Sequence, residues 1–129
     1  MAHYERDHLT IEWDGDLEAV LMNWHTFAKG DDYRDGLDAG LELAIERGAE
    51  NWLADLRDLG TVTQDDRDWT HDDWHPRAFE SSLQNMAIVQ PASVVSNMSV
   101  EEMVTEVGEN TTSRIFDNRD DAREWLRNQ

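Results

Sequence analysis

The chain has 129 residues, of which 39 % are hydrophobic and six are Trp, and 29 acidic residues stand against one lysine and ten arginines for a net charge of −18. That length and apolar content suit one domain, residues 1–129, with a packed core, and they exclude a disordered acidic tail. The absence of cysteine excludes a disulfide framework, a thiol nucleophile and a thiolate metal site.

Leu9, Ile11 and Trp13 alternate with polar residues and predict a half-buried strand from His8 to Trp13. Asp14-Gly15 supplies the positive backbone angles of a tight hairpin turn, and Ala19 to Trp24 returns as a second, more buried strand. Asp31 or Asp32 is placed to cap a helix that runs to about Arg47 and ends at Gly48. Its inward face is Tyr33, Leu37, Leu41, Ala44 and Ile45. Gly36 and Gly40, one turn apart, weaken that helix but let it lie close to a sheet.

Asn51 to Leu56 reads as a short apolar strand, followed by a polar loop from Arg57 to Val62. Thr63 then caps a long helix reaching toward Leu83, with Pro76 inside it to kink or split it. Met86 to Gln90 is the next buried strand, stopped by Pro91. Ser99-Val-Glu-Glu is a capping box that opens a short helix to Val107. Ser113 to Phe116 is a last strand, and Asn118 caps a terminal helix with Ala122, Trp125 and Leu126 facing inward. The order β-β-α-β-α-β-α-β-α predicts an α/β fold: a mixed, mostly parallel sheet of about five strands, with an antiparallel first strand and about four helices.

The acids are spread along the whole chain. Such a surface repels itself in dilute buffer, whereas at 1 M salt the Debye length falls to about 3 Å and the repulsion is screened. Scarce lysine fits the same setting, because salt strengthens the association of its apolar stem. The composition is therefore that of a protein in the cytoplasm of a salt-accumulating halophile. An acidic mimic of nucleic acid or a calcium-loaded protein would concentrate its carboxylates. Without a basic patch to neutralise phosphates, direct partners among DNA, RNA and anionic membranes are disfavoured. The opening MAHYERDH lacks the apolar run of a signal peptide, and no stretch approaches a membrane span.

Taken in order, LTIEW (9–13), DGLDAGLELAIERGA (35–49), WLADLRDLGTVTQDDRDW (52–69) with DDWHPRA (72–78), MAIVQP (86–91), MSVEEM (98–103) and IFDNRDDAREWL (115–126) carry a resemblance. The chain resembles, from about residue 8 to 127, the stand-alone STAS/SEC14-like domains of the SpoIIAA-like fold, as a haloarchaeal-type member. The resemblance implies a noncatalytic regulatory or binding domain, engaging a protein partner or a small ligand. Bacterial relatives are anti-sigma-factor antagonists, switched by phosphorylation of a Ser or Thr where the strand equivalent to Asn51–Leu56 meets its helix. The remoter SEC14 relatives carry lipids, so the alternative is a carrier of a small apolar or lipid-like ligand. The surface implied here comprises Asp55, Arg57, Asp58, Gly60, Thr61 and Thr63. No hydroxyl follows Asp55 directly, so the phospho-acceptors left at this junction are the displaced Thr61 and Thr63. Asp65, Asp66 and Asp68 stand close enough to oppose a phosphate.

Among motifs with possible chemistry, His71 and His75 lie four apart, as in H-E-x-x-H zinc sites. Asp72 replaces the glutamate, no third histidine follows and Pro76 breaks the frame, so neither a metal nor another cofactor is expected. Asp55 lies at the carboxyl end of a central strand, where open α/β sheets bind ligands; an ion pair with Arg57 or Arg77 is expected there before a general base. His25 is a lone imidazole with a structural role. No nucleophile elbow, phosphate loop or dinucleotide fingerprint occurs, and no enzyme is expected.

Overall fold

A computed structural model of the chain describes residues 3–107 and 111–129. The elements are β1 (Tyr4–Glu5), β2 (Leu9–Asp14), β3 (Ala19–Trp24), α1 (Asp31–Arg47), β4 (Asn51–Asp55), α2 (Gln64–Trp69), a π-helical turn (Thr70–Trp74), α3 (His75–Glu80), β5 (Asn85–Val89), α4 (Ala92–Val95), α5 (Val100–Met103), β6 (Val104–Val107), β7 (Thr111–Phe116) and α6 (Arg119–Arg127). They build one sheet in the order β1-β2-β3-β4-β5-β7-β6. The four central strands β3, β4, β5 and β7 are parallel, and the opening hairpin is antiparallel. This is the expected mixed α/β architecture. The strands beyond the expected five are the two-residue β1 and the edge strand β6.

The two faces of the sheet are covered unequally. On the first, Leu9, Ile11, Val20, Met22, Trp24, Trp52, Ala54 and Met86 pack against α1 and the α2–α3 segment. Gly36 and Gly40 set how closely α1 approaches: a Cβ on Gly36 would lie 2.5 Å from Leu9 Cδ2, and one on Gly40 2.7 Å from Trp52 Cη2. On the second face, α6 covers Leu53, Ala87, Val89 and Phe116 with Ala122 and Leu126.

Local chemistry corrects several expectations. The hairpin loop spans four residues, Asp14 pairing with Ala19; the positive φ belongs to Glu18 rather than Gly15. The Asp14 carboxylate accepts from the Asp16 and Leu17 N–H groups and so organises the turn. Gly30, not Asp31 or Asp32, is the N-cap of α1, and those two acids lie in its first turn, where they favour the positive end of the helix dipole. Gly48 closes α1 in the left-handed region as expected. Ile45, expected to face inward, is 60 % exposed.

The segment capped by Thr63 stays helical from Gln64 to Glu80 and is not split at Pro76; a π-helical turn just before the proline accommodates its missing N–H. The preceding turn widens so that the His75 N–H donates to Thr70 O, and α3 ends at Glu80. Ser99 caps α5, its side chain accepting from the Glu102 N–H, but that helix stops at Met103. Val104–Val107, expected to continue it, instead pairs antiparallel with β7, as its β-branched content favours. No helix among the described residues is long and apolar enough to cross a membrane.

Candidate functional site

Strand register lays out the second face as rows of side chains. One row runs Glu5, Thr10, Asn23, Asp55, Val89 and Phe116. Its apolar end lies under α6, and its polar end, near the carboxyl ends of β3 and β4, is outside the cluster that α6 covers. Asp55 sits at the boundary, 4 % exposed. It is on this second face because Ala54 takes the first.

The expected ion pair forms with Arg57; Arg77 binds Asp38 and Asp73 instead. Arg57 Nε donates to Asp55 Oδ1 at 3.0 Å, Nη2 donates to Oδ2 at 2.6 Å, and the Arg57 backbone N–H donates to Oδ1 at 3.1 Å. Arg119, the first residue of α6, brings its Nε to 4.0 Å from Oδ2. Burial alone would raise the Asp55 pKa. The Arg57 hydrogen bonds and the two guanidinium charges outweigh it and hold the carboxyl below the ordinary carboxylate value. Asp55 is thus held in its charged form, with Oδ1 accepting two hydrogen bonds and Oδ2 one, all from Arg57.

The loop beyond it has an inner and an outer part. Arg57, Asp58, Gly60 and Thr61 are exposed, whereas Leu59 between them is 1 % exposed and pins the loop to the core. The loop is therefore not loosely packed throughout, as its polar composition suggests. Gly60 has φ 77°, a left-handed turn that favours glycine. Asp58 takes no ion pair among the described residues.

Thr63 is committed elsewhere: its hydroxyl donates to Asp66 Oδ2 at 2.8 Å and accepts from the Asp66 N–H at 3.4 Å. Asp66, 2 % exposed, also accepts from the Gly30 N–H and from Arg34 Nε, so it ties the start of α1 to the start of α2. Thr61 keeps an exposed hydroxyl. The structure thus separates the two threonines that the sequence left together.

The His71 and His75 rings lie 6.4 Å apart. The His75 ring stacks on Phe79 at 5.2 Å, and burial, with the neighbouring His71, pushes its pKa down. No group of three or more potential metal ligands occurs among the described residues.

Sequence reasoning missed Arg119, Thr10 and Asn23. Thr10 Oγ1 lies 2.7 Å from His25 Nε2 across the hairpin, which gives the lone imidazole a partner. A signal for Arg119 existed: it follows the Asn118 cap directly and so begins a helix at the same end of the sheet as Asp55.

A family model, SpoIIAA-like, matches residues 9–127. The chain belongs to the SpoIIAA-like family. No curated protein matches it. This SpoIIAA-like chain is similar to the crystal structure of an uncharacterized protein with a SpoIIAA-like fold from Shewanella loihica. The two are 19 % identical with a TM-score of 0.58, over 92 % of this chain and 91 % of that one. The likeness shows the fold.

Proposed function

We propose that this SpoIIAA-like domain is a noncatalytic regulatory or binding module that engages a protein partner through the Arg57–Thr61 loop in a high-salt cytoplasm. The observation that carries the reading is the build of that loop. The exposed side chains of Asp58 and Thr61 make no hydrogen bond or ion pair among the described residues, while Leu59 and the Asp55–Arg57 pair fix the loop from within. A rigidly supported, exposed loop at the carboxyl end of a central strand is where such sheets present contacts. Phe27, 49 % exposed after β3, and Val94, 45 % exposed after β5, leave the same end of the sheet and would give a protein partner apolar contacts.

A carrier of an apolar ligand would need a cavity beneath the Trp69–Phe79 segment. That space holds Trp74, whose indole N–H donates to Leu37 O at 3.0 Å and whose ring lies 5.3 Å from Trp52, together with a fully buried Ala78.

The test is capture of partners from native extract in molar KCl by the intact chain and by Asp58→Ala and Thr61→Ala. Both variants should melt with the parent and lose the captured protein. Undiminished capture would refute the loop as the site. The high-salt setting is tested separately: screening of the net −18 should raise the melting temperature steeply between about 0.1 and about 2 M KCl. A melting curve indifferent to salt would contradict it.

A further inference from the structure

The part of the second face that α6 leaves bare forms a trough with β3 as its floor. Near Thr10 and His25 it holds a depression of about 300 Å³, which continues past Glu12, Leu21 and Arg119 into an open one of about 430 Å³ beside Asp14. Leu21 and Asn23 make the floor. One wall comes from the outer strands: Glu5 on β1 pairs in register with Thr10, and Glu12 on β2 with Leu21, so both carboxylates share this face. The other wall is Arg119, carried by α6 from above β4 and β5.

Opposite charges therefore face each other across β3. Strands are spaced about 4.8 Å apart, so β2 and β4 are separated by about 10 Å. No ion pair spans the gap: neither Glu5 nor Glu12 is paired among the described residues, and the carboxylate beside Arg119 is Asp55, at 4.0 Å, whose short hydrogen bonds all come from Arg57. Further along, the walls do close, with Arg123 Nη2 2.8 Å from Asp14 Oδ2. The fold thus joins the walls at one end of the trough and leaves them apart, with Asn23 and the Thr10–His25 pair between them, at the other.

We propose that this open end binds a small zwitterion, an ammonium and a carboxylate on one short skeleton, with the carboxylate on Arg119 and Asn23 and the ammonium between Glu5 and Glu12. Charge-assisted hydrogen bonds at both ends make the ligand a bridge that neither half-molecule can form. The site is independent of the Arg57–Thr61 loop as a protein contact, since none of its groups belongs to that loop.

The experiment is an amide chemical-shift titration of the intact ¹⁵N-labelled chain with β-alanine, with propionate and with ethylammonium. Saturable shifts at Leu21, Asn23 and Arg119 are expected with β-alanine, and binding about tenfold weaker with each half-molecule. Arg119→Gln and the exposed, isosteric Glu12→Gln should each weaken β-alanine by about tenfold without moving the melting temperature, because Arg57 still holds Asp55. Asp58→Ala should leave the titration unchanged. Absence of saturable shifts, propionate binding as well as β-alanine, or variants that keep full binding would each overturn the proposal.

Discussion

The two faces of the sheet are built for different ends. The first face carries Trp24, Trp52 and Trp74, each no more than 2 % exposed, under α1 and the α2–α3 segment. The second lies under the nine-residue α6 and has a half-open polar surface ending at Asp55, Arg57 and Arg119. Burial of large aromatic surface supplies stability without specificity for a partner. Exposed polar groups on a fixed backbone supply specificity at little cost to the fold. Removing groups from the first face or its ties should therefore cost stability, and removing them from the loop should cost only binding.

The largest expected effect is at Asp66, the buried carboxylate that joins α1 to α2 through Gly30, Thr63 and Arg34. Asp66→Ala strands three donors and should cost about 3 kcal/mol at pH 7 by urea unfolding. Burial raises the pKa of this carboxyl, but its hydrogen bonds and Arg34 outweigh that and leave it below 3.8. A depressed folded pKa gives stability that is present above the unfolded pKa and lost as pH falls through the folded one. The gap between parent and variant should therefore narrow below about pH 4. A gap that stays constant into acid would mean that the charge of Asp66 contributes nothing.

Next comes Gly40→Ala, where two principles oppose each other in sign. Helix propensity alone would stabilise α1 by about 1 kcal/mol. The new Cβ would stand 2.6 Å from Met22 Sδ and 2.7 Å from the Trp52 ring, and overpacking of that kind costs about 1–3 kcal/mol. Net destabilisation of about 1 kcal/mol is expected in thermal or urea melts. A more stable variant would show that the first face has slack and is not the rigid half of the molecule.

The smallest stability effect belongs to the loop. Asp58→Ala and Thr61→Ala should each lie within about 0.5 kcal/mol of the parent, so their loss of partner capture is not a folding defect.

Much of this division was legible in the residues. Alternation in LTIEW, the Gly36–Gly40 spacing, Gly48, Pro76 and the Asn118 cap are local signals, and each fixes its element because the physics acts within one turn or one strand. Ser99 was legible as a cap but not as the start of so short a helix, since its box says where a helix begins and nothing about where sheet pairing ends it. The candidate site divides likewise. Asp55 and Arg57 are two residues apart and could be paired on paper. Thr10, Asn23 and the separate duty of Thr63, unlike Arg119 beside its Asn118 cap, depend on which strands and helices neighbour one another. Those are tertiary facts with no local signature.

The most direct test of the division is amide hydrogen exchange of the protein alone and with its captured partner. Alone, the β3 and β4 amides should exchange only through global unfolding, and those of Arg57, Asp58, Gly60 and Thr61 through local opening at a fraction of that free energy. With partner bound, new protection should concentrate on those four residues and leave the first face unchanged. Loop amides as protected as β4 in the free protein, or partner-induced protection over α1 and α3 instead, would contradict the account.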